Sequence, residues 1–121
     1  MELTPLVPAG RQVIERYGAS GFRVSGALYA GPVLVFPDLT MLWAEAALTA
    51  ESLMPIVEHG GVELLLLGLG RHMAPVAGSL RAALKASGIV VEGMDTGAAC
   101  RTFNVLLAEE RRVAAALLPP I

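Results

Sequence analysis

Cysteine is nearly absent: the chain has one, Cys100. A single thiol cannot build a disulfide framework or, within one chain, a thiolate metal site. Histidine is almost as scarce, with two residues, so a histidine-rich metal centre is not expected either. Long apolar runs are missing too. The longest stretch without a charged residue runs from Val24 to Pro37 and is broken by Gly26, Gly31 and Pro32. That is short of the ~20 residues a spanning helix needs. There is no excess of positive charge: nine Lys+Arg stand against eleven Asp+Glu, for a net charge of −2. Nucleic acid is therefore not an expected partner, because phosphate binding needs a basic field. The first residues carry Glu2, Pro5 and Pro8 rather than a basic stretch followed by an apolar core. No signal peptide is read there, and a cytoplasmic location is the expectation.

What is abundant is small and aliphatic. Hydrophobic residues make up 55% and charged residues 17% of 121 positions, and mean hydropathy is +0.61. That composition fits neither disorder nor a coiled coil, and the length fits one ordinary domain. So much apolar surface on so small a chain points to some exposed apolar area, hence to a homo-oligomer or a protein partner.

Residues 1–10 hold two prolines, Pro5 and Pro8, and read as an extended arm; residues 11–121 read as one α/β domain. Gln12–Tyr17 reads as an edge strand, Gly18–Gly21 as a turn, and Phe22–Val24 and Ala27–Tyr29 as short strands of an N-terminal β-meander. Val33–Phe36 is an apolar run stopped by Pro37 and reads as a buried strand. From there the pattern alternates. A helix is expected over Ala50–Glu58, capped by Thr49 and blemished by Pro55. Val62–Leu67 is a strongly apolar strand. Ser79 is the expected cap of a second helix, with Gly88 past its end. Ile89–Val91 is the next strand, Asp95 or Thr96 caps a third helix to about Glu109, and Arg112–Leu118 closes with a strand. Strand and helix in alternation imply crossover connections and a mainly parallel sheet. In the third helix Ala99, Cys100, Phe103, Leu106 and Leu107 span about 120° and form a core face. Its back, with Ala98, Arg101, Val105, Ala108 and Glu109, is only weakly polar. Cover is expected over Val105, and use by a partner for Arg101.

The segment from Glu92 to Leu117 is distinctive, as are Gly21-Phe22-Arg23-Val24, Gly31-Pro32-Val33-Leu34-Val35, Trp43 and Glu63–Gly70. Together they resemble a family of small domains that includes the mitochondrial assembly factor 3 of respiratory complex I and bacterial and archaeal single-domain proteins. The resemblance covers about residues 13–118. It implies a three-layer α/β fold with a central mixed sheet and an added β layer. It implies little chemistry, because the family has no agreed enzymatic activity; the mitochondrial member acts in complex assembly. One departure is Leu69, where family members usually have Thr, and the lost hydroxyl weakens a ligand-binding reading of that loop.

Gly68-Leu69-Gly70 follows a buried strand, where parallel sheets place binding loops. Met73 stands where a dinucleotide fingerprint needs glycine, and no Gly-Lys-Ser/Thr follows. The glycines read first as permitting a tight turn. Met94-Asp95-Thr96 opens the third helix at the same sheet edge, with Asp95 read as the cap. A small pocket between the two loops, lined by Gly68, Gly70, Met94, Asp95, Thr96 and Arg101, is the candidate site for a ligand or partner. Cys100 one turn into the helix could approach His72, but a buried apolar cysteine is the commoner case. His72 with Glu92 or Asp95 does not have fixed ligand spacing, and no metal or cofactor is expected. His59 reads as a favourable charge at a helix end. Arg101, Glu109, Glu110, Arg111, Arg112 and Glu92 read as an ion-pair network or, alternatively, as arginines for an anionic ligand. No nucleophile–base motif is present. The expectation is a non-catalytic interaction or assembly module, with a small anionic-ligand-binding protein or weak enzyme as the alternative.

Overall fold

The structure is a computed structural model and describes residues 10–121. The arm expected over residues 1–10 lies outside the described residues apart from Gly10. Strands β1 (Ile14–Gly18), β2 (Gly21–Val24) and β3 (Ala27–Tyr29) form an antiparallel sheet in the order β1-β2-β3. Strands β4 (Val33–Val35), β5 (Thr40–Leu42), β6 (Leu64–Leu69), β7 (Val90–Met94) and β8 (Val113–Leu118) form a mixed sheet in the order β5-β4-β8-β6-β7. Helices α1 (Met54–His59), α2 (Gly78–Lys85) and α3 (Thr96–Ala108) complete a single α/β domain.

The expectation of a mainly parallel sheet needs correction at its N-terminal strand. Only β8-β6-β7 is parallel. β4 runs antiparallel to both β8 and β5. An apolar run such as Val33–Phe36 announces burial but not direction, and β8 slips between β4 and β6, so no simple crossover joins those two. β5 is also new; Thr40-Met41-Leu42 is too short to show a period. Strand bounds move as well: β6 and β7 begin and end later than expected, and the later ends draw Gly68, Leu69, Glu92, Gly93 and Met94 into strands.

The mixed sheet is buried on both faces, as runs without polar alternation require. One face packs Leu34, Leu65, Leu67, Ala114 and Ala116 with Ile56, Leu80, Leu84 and Trp43. The other packs Val33, Val35, Leu66, Ala115 and Leu117 against Ala99, Cys100, Phe103 and Leu107 of α3, together with Ile14, Phe22 and Val24 of the small sheet. The three alanines of β8 are fully buried; Ala115, the one on the α3 side, has a small side chain that lets α3 lie close to the central strand.

The helix starts follow local chemistry. Asp95 accepts a bond from Ala98 N–H at 2.9 Å and caps α3 as expected. Pro55 sits in the first turn of α1, so the helix begins at Met54 instead of Ala50. Thr49 caps only the preceding turn, accepting from Ser52 N–H at 3.1 Å. α2 starts at Gly78 after Ala77, and Ser79 makes no cap bond.

His59 ends α1, as the charge reading requires, but its main partner is a side chain. Its Nε2 lies 2.7 Å from Asp38 Oδ1, and its ring stacks on Phe36 with centroids 4.2 Å apart. Burial pulls the imidazole pKa down, but the bonds to Asp38 and to the Gly60 carbonyl outweigh it and leave the pKa raised. The same bond holds the Asp38 carboxyl below its ordinary range. The raised imidazole stabilises the fold below its unfolded pKa and loses that effect as pH rises through the folded value. The lowered carboxyl keeps its contribution until pH falls through its own folded value. The pair is therefore expected to help between about pH 4 and 6.5. Melting curves of Asp38→Asn and the parent chain should converge at about pH 8; a constant offset at every pH would exclude the ion pair as its cause.

Candidate functional site

The parallel strands β6, β7 and β8 end at one edge, and that edge gathers the candidate residues. Gly68 is opposite Met94, and Leu69 is opposite Leu118. Thr96 joins the three strand ends. Its N–H donates to Gly70 O at 2.8 Å, its Oγ1 accepts from Gly70 N–H at 2.8 Å, and its hydroxyl donates to Leu118 O at 2.6 Å. Thr96 is fully buried. A Cβ on Gly68 would stand 2.8 Å from Leu117 Cδ2 and 3.2 Å from Thr96 Cα, so glycine is what lets α3 start this close to β6. Gly70 has φ +92° and turns the chain. Where a ligand pocket was expected between the two loops, the loops themselves are bonded to each other.

Arg101 lies one turn further along α3 and is exposed. Its Nη1 donates to Tyr17 Oη at 3.3 Å. Tyr17 Oη in turn crowds Gly97, where an added Cβ would be 2.6 Å away. The expected ion-pair network is not formed: Arg112 pairs with Glu63 at 3.0 Å instead of with Glu92, and Arg101 joins no ion pair among the described residues. Glu63 and Arg112 immediately precede β6 and β8, which are neighbours, and sequence spacing could not reveal this. Val105 also departs from expectation: it is 57% exposed, because the small sheet packs on the Ile14 side of α3 and leaves this back uncovered.

Cys100 is fully buried on the core face. Desolvation pushes its thiol pKa up to about 12, against a weaker opposing pull from Arg101. A thiol so placed is a poor nucleophile, and His72 is exposed on the loop after Gly70. Cys100→Ser is expected to cost about 1 kcal/mol, because it buries a hydroxyl in an apolar site, and to leave binding intact. Native-state labelling with a thiol reagent should be slow; fast labelling at neutral pH would restore the nucleophile reading. Among the described residues no three His, Cys, Asp or Glu side chains are grouped to hold a metal ion.

Two surface features escaped the sequence reading. A hollow of about 550 Å³ lies on the small sheet, lined among others by Arg16, Arg23, Leu28 and Tyr29. Arg16 and Arg23 are directly opposite across β1 and β2. A smaller hollow of about 190 Å³ opens beside β5, lined by Leu34, Met41, Leu42, Trp43, Glu45, Glu51 and Pro55 among others. Both need strand pairing that the sequence does not display. Asn104 was also overlooked. Its amide bonds Ile14 N–H at 3.1 Å and Ile14 O at 2.9 Å. The signal was there: Cys100, Phe103, Asn104 and Leu107 form the i, i+3, i+4, i+7 stripe of a buried helix face.

No helix among the described residues is long and apolar enough to cross a membrane. The chain is 41% identical over 115 residues to an uncharacterized protein of Rhodobacter capsulatus, covering 92% of this chain and 87% of that one. It is 36% identical over 113 residues to the NADH dehydrogenase [ubiquinone] 1 alpha subcomplex assembly factor 3 of Danio rerio, covering 89% of this chain. It spans 64% of that relative's length. A crystal structure of a Bordetella parapertussis protein superposes with a TM-score of 0.82 at 34% identity, covering 93% of this chain and 99% of the other. A family profile matches residues 14–118, and the chain accordingly belongs to the family described as protein of unknown function (DUF498/DUF598).

Proposed function

We propose that this domain is a non-catalytic protein-interaction module with an assembly-factor-like role. The observation that carries the proposal is the closed edge at Thr96. In an open α/β sheet a small ligand enters at the carboxyl ends of the strands, and here hydrogen bonds between the loops occupy that place. The relatives named as complex I assembly factors support the same reading by analogy. In this proposal the small sheet forms a third layer over α3, and Gly68, Gly70, Met94, Asp95 and Thr96 make a rigid platform. Arg101, which stands on that platform with its charge exposed, contacts the partner.

Arg101→Glu tests this. It should shift the melt by no more than about 0.5 kcal/mol, as for a surface change, while weakening capture of the partner. The measurement is affinity capture from native extract with mass spectrometry, beside circular dichroism melting of the same variant. Partners retained at parent levels with an unchanged melt would remove Arg101 from the interface. No specific partner for any form of the chain would sink the proposal itself.

A further inference from the structure

The β5 side of the molecule differs from the rest in charge and in cover. No lysine or arginine occurs between Arg23 and Arg71, while Asp38, Glu45, Glu51, Glu58 and Glu63 all fall in that interval. Asp38 and Glu63 are paired with His59 and Arg112. Glu45 and Glu51 are exposed and join no ion pair among the described residues. In the same stretch Leu39, Met41, Leu42, Leu48 and Met54 are exposed, Leu42 to 58%. Natural edge strands are usually guarded by charge, proline or a covering side chain. At the opposite edge of the sheet, Arg81 donates to the Val91 carbonyl of β7. On β5 the Thr40 hydroxyl donates to Gln12 Oε1 at 2.7 Å, but no side chain is found bonded to the outward backbone groups of the strand among the described residues.

The backbone of β5 is turned outward where it matters. Phe36 N–H donates to Leu39 O at 2.8 Å and Trp43 N–H to Pro32 O at 2.9 Å. Antiparallel bonding alternates residue by residue, so the N–H and C=O of Thr40 and Leu42 point away from β4. Beside them lies the 190 Å³ hollow, floored by Trp43 and walled by Met41 and Pro55, with Glu45 and Glu51 on its lining. Trp43 is fixed there because its Nε1 donates to Ser52 Oγ at 2.7 Å.

We infer that the β5 edge binds an extended segment of another protein in which an apolar side chain is flanked two residues away on either side by basic ones, all on one strand face. Main-chain bonds to Thr40 and Leu42 would add the segment as a strand. An apolar side chain fills the hollow, and the basic ones reach Glu45 and Glu51. A second copy of this chain is the weaker occupant, because two such edges would bring like charges together. The assignment rests on the protein-partner reading above and names the surface and chemistry of that partner.

The probe is a short capped peptide of sequence lysine-threonine-valine-threonine-lysine, which sets valine and both lysines on one strand face, with glutamate in place of lysine as control. Binding is read from the fluorescence of Trp43, the only tryptophan, and from amide shifts of Thr40 and Leu42. The lysine peptide is expected to bind saturably and the glutamate peptide not to bind. The double variant Glu45→Lys/Glu51→Lys should weaken binding about tenfold, the loss of two rim charges. Equal binding of both peptides, or indifference to the double variant, overturns the inference. So does a dimer of the free chain that Leu42→Lys dissolves. If no peptide binds while the captured partner still binds the parent and the double variant alike, the edge assignment alone falls. Failure of both overturns the partner reading as well.

Discussion

Asn104→Ala is expected to destabilise the domain by about 3 kcal/mol, a fall of roughly 10 °C in melting temperature for a domain of this size. The size of the effect comes from where the amide is spent. β1 is an edge strand of the small sheet, and its register slips between Ile14 and Arg16. Ile14 is fully buried, so neither its N–H nor its C=O can turn to water. The Asn104 amide supplies both partners, standing where another strand would. Removing it strands a buried donor and a buried acceptor and leaves a small void. Asn104→Asp separates these effects. Its carboxylate can still accept from Ile14 N–H but repels Ile14 O; once protonated, it can donate there. Asn104→Asp should therefore regain part of its loss as pH falls, which Asn104→Ala cannot do. Equal stability of Asn104→Ala and the parent chain in a chemical denaturation series would show that α3 and the small sheet are not held together through this residue.

Thr96→Val is expected to cost about 2–3 kcal/mol, although shape and volume hardly change. The hydroxyl both accepts from Gly70 and donates to Leu118, and a methyl takes that partner from both partly buried backbone groups. Thr96→Ser keeps the hydroxyl and should recover most of the loss. Amide exchange supplies a sharper check. In Thr96→Val the Gly70 N–H should exchange far faster, while amides in the middle of β6 change little. Slow exchange at Gly70 in that variant would mean that water or another group already serves it.

The elements most legible in the sequence were those whose signal is local. The cap at Asp95, the stripe along α3 and the apolar runs of β6 and β8 each carry their meaning within a few residues. Direction and adjacency are not local. Val33–Val35 reads the same whether its neighbour runs up or down, and only the insertion of β8 beside it decides. Glu63 and Arg112 are far apart in the chain and meet because β6 and β8 pair. The candidate residues Gly68, Gly70, Met94 and Thr96 were legible as neighbours, because parallel strands bring their ends to one edge. That Thr96 would bond that edge shut was not, since the sequence does not say how closely α3 approaches β6. Asn104 shows its burial only through its spacing, since a polar side chain in a helix ordinarily faces solvent.

The place of β8 bears on how the chain must be made. Residues 113–118 lie between β4 and β6, so the β5-β4 pair and the β6-β7 pair cannot join into one sheet until β8 has left the ribosome. Until then Val33–Val35 and Leu64–Leu69 are apolar strands with open edges on a nascent chain, the condition in which chains pair wrongly or aggregate. Joining of the large sheet thus waits for residues 113–118 by topology alone, and the nascent protein should depend on chaperone holding in proportion to how slowly residues 70–112 are translated.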